Sequence, residues 1–222
     1  MNIKALLKSL KLRKFNTSLL ILQLAITLGL IVNSAILSLD TYRNLNVSTG
    51  LDHDNILVTA MRPTSADYKD LDYARSISQQ DMDAISRIPG GNSVTQLNQL
   101  PFQRGGFNGN LNDVDDPEIE RRIPRLRFVP VMVTNQQVSE TLGLELVEGR
   151  LLEDTDKLLP NEQNNRPNIL ISESAKKAIY GEESALGQET NRGFVVGVVK
   201  DILMYPHLAE DEQFAVYING ID

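Results

Sequence analysis

The chain has 222 residues, no Cys, no Trp and two His, His53 and His207, and a net charge of −7. This excludes a disulfide framework, a zinc–thiolate site and a Cys nucleophile, and leaves little for histidine-based acid–base or metal chemistry. Residues 1–39 hold five basic residues and no acid, whereas 40–222 hold 17 basic and 29 acidic residues, so the larger part is a poor match for nucleic-acid phosphate.

At the N-terminus, Ile3, Leu6, Leu7 and Leu10 share one helical face, and Lys4, Lys8 and Lys11 share another. Residues 1–14 therefore read either as a short amphipathic helix on the cytoplasmic membrane surface or as a plain basic flank. From Phe15 to Leu39 no residue is charged. Those 25 residues make about 37 Å of helix, against a hydrocarbon core of ~30 Å. The run is longer than a signal-peptide core of ~7–15 residues, and Asn33-Ser34-Ala35 is a poor cleavage site. An uncleaved transmembrane helix over 15–40 is the expectation. The basic residues before it put the N-terminus in the cytoplasm and the remainder outside the inner membrane.

Asn16, Gln23, Thr27, Ser34 and Ser38 recur at intervals of 7, 4, 7 and 4 within the span. That spacing sets them on one stripe, and a polar stripe in a membrane helix suits packing against other helices. Gln23, Thr27 and Ser34 are the candidate packing residues.

A stalk or linker follows over 41–54, with Gly50 as a helix C-cap. Beyond it the pattern mixes strands and helices. Strands are expected at 55–61, 92–100, 125–134 (edged by Pro130), 144–147, 168–171, 193–200 and 214–218. Helices are expected from a cap at Ser78-Gln-Gln-Asp81 to Ile88, over Gln136–Leu142 before Gly143, and from Ser172 through Tyr180 before Gly181. Residues 103–117 and 150–167 read as loops. The fold class is α+β: one transmembrane helix followed by a mixed α/β external domain over 55–222.

Candidate chemistry is sparse. His53 between Asp52 and Asp54 is a weak metal trio, because adjacent residues rarely converge on one ion. The loop from Asn108 resembles a calcium loop at Asn108, Asn110 and Asn112, but Asp113 stands where Gly is needed and Ile119 where a bidentate Glu is needed. The basic run Arg121-Arg122-Ile-Pro-Arg125-Leu-Arg127 directly follows an acidic stretch, which reads as local neutralisation, with a docking surface as the alternative. There is no P-loop and no Gly-x-Ser-x-Gly elbow. Asn46-Val-Ser48 fits a glycosylation sequon. Catalytic, cofactor and metal residues are expected to be none.

Two segments carry a family resemblance. Leu142-Gly-Leu-Glu-Leu-Val-Glu-Gly149-Arg150-Leu-Leu-Glu-Asp154 is similar to a stretch of MacB-like periplasmic core domains. Ile169-Leu-Ile-Ser-Glu-Ser-Ala175, Tyr180-Gly181, Ala185-Leu186-Gly187-Gln188 and Val195-Val-Gly197-Val-Val-Lys-Asp201 resemble that family's next motifs in the same order. The structural motif residues are Gly143, Gly149, Arg150, Gly187, Gly197 and Asp201, and an Arg150–Asp201 pair is one arrangement open to them.

The resemblance implies a non-enzymatic permease subunit of a MacB/FtsX-type ABC transporter, concerned with export or with lipoprotein or peptide handling. It implies a separate ABC ATPase subunit, a homo- or heterodimer with another permease, and a periplasmic adaptor as partners. Such permeases usually have four membrane helices, with the external domain between the first and second. No further apolar span follows here, so the expectation is a fragment, a truncated product or a stand-alone relic, its external domain incomplete at the C-terminal end. The alternative is a stand-alone, membrane-anchored periplasmic binding or sensing module.

Overall fold

The computed structural model describes residues 14–45, 48–51, 55–103, 105–158 and 166–220. The amphipathic reading of the first residues, apart from Lys14, and the Asp52-His53-Asp54 trio fall outside them. The chain divides into two compact units, Met1–Val47 and Ser48–Asp222.

The first unit holds helix α1, Lys14–Leu45. Its stretch Lys14–Tyr42 is long and apolar enough to cross a membrane, and none of it is buried. The apolar residues cover every face, as lipid requires and water does not. Gly50 has φ +67 but caps no helix, since α1 ends at Leu45 and residues 48–49 are not helical.

The second unit is built on a seven-stranded mixed sheet. Its strands are β1 (Asn108–Gly109), β2 (Val129–Thr134), β3 (Leu146–Gly149), β4 (Asn168–Ser172), β5 (Glu189–Thr190), β6 (Gly193–Val199) and β7 (Val216–Asn219). Their order is β1-β2-β7-β4-β6-β3, and β5 shares the β3 edge of β6. β2 runs parallel to β7 and β4 parallel to β6, while β4 and β7 are antiparallel. The helices are α2 (Leu71–Ser86), α3 (Ile119–Arg122), α4 (Val138–Leu142) and α5 (Glu173–Tyr180).

The central strands are apolar on both faces because both faces are covered. Ile169, Ile171, Val195, Val198 and Val216 join one cluster with Ala175 of α5. Leu170, Val199 and Tyr217 join the other with Val138 and Leu142 of α4. Val195 and Val198 are three residues apart yet share a face, which simple alternation forbids. A β-bulge explains it: Ile169 pairs with Val195 and Leu170 with Gly197, leaving Val196 as the extra residue.

At the bulge, Gly149 pairs with Gly197. A Cβ on Gly197 would lie 2.1 Å from the Arg150 carbonyl oxygen, and one on Gly149, where φ is +79, would lie 2.3 Å from the Val196 carbonyl oxygen. Two backbones meet there with no room for a side chain.

The unit Asn168–Gly181 forms as its sequence signals direct. The Ser172 hydroxyl accepts the Ala175 N–H at 3.4 Å, and Gly181 ends α5 with φ +61. Elsewhere the structure corrects the sequence. Residues 55–61 form no β ladder among the described residues, and Leu57 is 93% exposed. Residues 92–100 also lack a ladder. Instead the Asn98 side chain stands in for a strand: its amide donates to the Val131 carbonyl at 3.0 Å and its oxygen accepts the Val133 N–H at 2.9 Å.

α2 starts at Leu71, seven residues before the expected cap, because the Asp70 carboxylate accepts the Asp72 and Tyr73 N–H groups at 2.9 and 3.3 Å. Residues Pro124–Phe128 form a 3-10 turn, and β2 begins only at Val129. Pro130 sits one residue before the β7 ladder opens at Val131, so its missing N–H breaks no bond there. The expected loop 103–117 contributes β1, and the expected loop 150–167 contains a 3-10 turn, Asp154–Asp156.

Gly197→Ala is expected to cost at least about 3 kcal/mol, because carbonyl backbone stands in the way. Gly187→Ala, with φ +76 but nothing within 4 Å of the added Cβ, should cost only about 1–2 kcal/mol. Urea unfolding of the full chain in detergent micelles, followed by circular dichroism, measures both. Equal costs would contradict the close approach.

Candidate functional site

Arg150 follows Gly149 directly, so the β3–β6 contact fixes where its guanidinium emerges. It does not pair with Asp201. It meets Asp156 in two hydrogen bonds, of 2.5 and 2.7 Å, and also donates to the Leu151 carbonyl at 3.0 Å. The Asp156 side chain is 1% exposed. It accepts the Glu153 N–H at 2.8 Å and the Asn168 amide at 2.6 Å as well. Glu153 and Asp156 form a capping box around the 3-10 turn. The turn is tied on to β7: the Asn219 amide donates to the Glu153 carbonyl at 2.9 Å, and the Leu158 N–H donates to the Asn219 carbonyl at 2.8 Å. The Asp156 carboxylate therefore joins the ends of β3 and β4, and the backbone of its turn adds β7.

Burial works against the charge on Asp156. The Arg150, Glu153 and Asn168 hydrogen bonds outweigh it and hold the carboxyl down to about 2. Its native value lies below the unfolded one, so the stabilisation is present above about pH 4 and is lost as pH falls toward 2.

Asp201 serves a different element. It accepts the Ser174 N–H at 3.0 Å and the Ser174 hydroxyl, both in the first turn of α5. Burial pushes this carboxyl up and neighbouring Glu173 adds to that, against the lowering pull of the serine bonds. Of the motif glycines, Gly143 caps α4 with φ +70, and Gly187 turns the chain toward β6, its N–H on the Val195 carbonyl at 2.8 Å.

The unbroken α1 helix sets Asn16, Gln23, Thr27, Ser34 and Ser38 within an arc of roughly 60°. All five are exposed.

The acid–base candidates do not assemble. His207 is exposed, with its ring 5.7 Å from Tyr205. Among the described residues no group of three or more His, Asp or Glu converges to hold a metal. Asn108 and Asn110 are engaged instead by the Tyr205 hydroxyl and the Arg192 guanidinium. Two arginines of the basic run are neutralised locally, and a third sits against aromatic rings. Arg121 pairs with Glu118 at 2.6 Å, Arg122 pairs with Asp116, and Arg125 lies 5.7 Å from both the Tyr205 and Phe214 rings.

A family model described as the MacB-like periplasmic core domain matches residues 19–219. The chain belongs to that family. The match begins inside α1 and ends on β7, so it takes in both units.

Solved structures similar to this MacB-like domain include the periplasmic region of MacB from Actinobacillus actinomycetemcomitans. It is 24% identical, with a TM-score of 0.42 over 64% of this chain and 54% of that chain. Another is the extracellular domain of the noncanonic ABC-type transporter YknZ from Gram-positive bacteria, 15% identical, with a TM-score of 0.37 over 64% of this chain and 61% of that one. The chain thus spans less than two thirds of either. No curated protein sequence matches it significantly.

Sequence reasoning missed Asp156, the centre of the Arg150 junction. The signal was Glu153-x-x-Asp156, a capping-box spacing inside a stretch read as loop.

The two carboxylates should answer differently to neutralisation. Asp156→Asn is expected to cost about 2 kcal/mol at pH 7, discounted because Arg150 is partly exposed, and the loss should shrink as pH approaches 2. Asp201→Asn should cost less than about 1 kcal/mol, since it removes a charge that burial disfavours. Urea unfolding of the two variants across pH checks this, and a larger loss in Asp201→Asn would contradict it.

Proposed function

We propose that this chain is the first membrane helix and external domain of a permease subunit of a MacB/FtsX-type ABC transporter. The observation that carries the reading is the family match, which takes in the membrane-length helix and the sheet together. A signal sequence added to an unrelated domain has no reason to share a family with it.

The external unit is anchored at its first described residues. Thr49 lies four residues after the last residue of α1, and its carbonyl accepts the Leu203 N–H at 2.9 Å. A Cβ on Gly50 would stand 2.6 Å from the Asp201 carbonyl oxygen, and Leu51 packs against the second core cluster. Residues 49–51 are thus fastened to the segment that follows β6.

In this reading 1–14 is cytoplasmic, 15–40 crosses the bacterial inner membrane, 41–54 is the stalk and 55–222 is external. The five basic residues before the span support that orientation. A separate ATPase drives the change, a second permease completes a dimer, and an external adaptor or substrate receives the motion. Gln23, Thr27 and Ser34 then face the neighbouring helices.

Gln23→Leu tests the reading, because a side-chain amide facing acyl chains is costly and should face protein. It is expected to weaken association in a membrane-embedded assay, with a permease partner or a second copy, by roughly 0.5–2 kcal/mol. Ile26→Leu, off the stripe, should change little. Equal association of all three forms with each partner would sink the permease assignment of α1.

A further inference from the structure

A cleft of about 300 Å³ lies in the Ser48–Asp222 unit between α2, the extended segment at 94–96, the turn at 135–137 and the 3-10 turn at Asp154. Its wall carries an unusual concentration of primary amides, chiefly Gln96, Asn135, Gln136 and Gln137. Their hydrogen bonds leave much unused. Gln96 Oε1 accepts the Ser78 hydroxyl at 2.8 Å, which fixes the amide while its Nε2 has no acceptor among the described residues. Asn135 Oδ1 accepts the Thr95 hydroxyl at 2.8 Å and the Gln137 N–H at 3.1 Å, which leaves its Nδ2 likewise unmatched. The side-chain amides of Gln136 and Gln137 make no bond among the described residues. Two amides held by these bonds and two exposed amides free to turn therefore line one cleft.

We propose that this cleft binds an extended peptide segment. A peptide backbone alternates N–H and C=O, and a primary amide offers both a donor and an acceptor in one plane, so each can meet a peptide unit at two points. The other ligand classes fit less well. Asp83 and Asp154 line the cleft, with Lys157 offsetting one of them, so an anion is disfavoured and a cationic side chain is welcome. No aromatic ring lines it to stack against a sugar. Its apolar lining is Met82 and Val94, and a thioether adapts to side chains of varied shape. α2, which forms one wall, has no fully buried residue, so it can adjust to an occupant. The proposal stands apart from the permease reading, since a binding module and a transporter domain could each use such a cleft.

The probe is the blocked peptide acetyl-Ala-Lys-Ala-Ala-amide, titrated at millimolar concentration into the nitrogen-15-labelled full chain in detergent micelles. Maltotetraose serves as the sugar comparison. Saturable shifts of backbone amides at 78–86, 94–96 and 135–137 are expected with the peptide and not with the sugar. The double variant Gln136→Ala, Gln137→Ala should weaken peptide affinity by roughly threefold to tenfold and leave the unfolding midpoint unchanged, because neither amide bonds to the protein. No saturable shift with the peptide, saturation by maltotetraose alone, or peptide binding indifferent to the double variant would each overturn the proposal.

Discussion

Gly149 and Gly197 let two backbones approach so closely that a single methyl group on either would strike a carbonyl oxygen. Three features depend on that contact. It accommodates the bulge at Val196, which puts Val195 and Val198 on the same face and so divides the apolar residues correctly between the two clusters. It sets the exit of β3, and with it the place where the Arg150 side chain begins. It also lets the Arg150 N–H reach the Val196 carbonyl at 3.0 Å. The Asp156 junction then fastens the same corner from the side-chain end.

The two acidic anchors divide the domain between them. Asp156 secures the end of the sheet where β3, β4 and β7 meet the 3-10 turn, a region that also contributes Asp154 and Asn219 to the amide-lined cleft. Asp201 secures α5 and adjoins the Thr49–Leu51 attachment. One is held charged by a guanidinium, and burial pushes the other's carboxyl up. In the permease reading, the firm corner serves as scaffold.

Legibility followed the range of the signal. Asn168–Gly181 was readable because Ser172 and Gly181 act on their own backbone neighbours, and α1 because lipid imposes one composition on a whole span. Residues 55–61 have strand composition, but a strand needs a partner, and propensity says nothing about whether one is present. At 98 a side chain replaced the ladder, which no periodicity reveals. The start of α2 was displaced because Asp70 is as good a cap as Ser78, and the apolar face behind it is weak. The family resemblance was legible in the ordered glycines. The partner of Arg150 was not: opposite charge alone allows Asp201, whereas the chain turns back within six residues to Asp156.

The central claim is that Asp156 holds the β3–β6 corner together through Arg150. Native-state hydrogen exchange on the full chain in micelles, wild type against Asp156→Asn, tests it most directly. The account predicts that the Arg150 and Leu158 amides, bonded to the Val196 and Asn219 carbonyls, exchange roughly tenfold faster or more in the variant. The Ser172 amide, bonded to the Ala215 carbonyl in the interior, should keep its protection. Unchanged exchange at Arg150, or equal acceleration at all three amides, would contradict it.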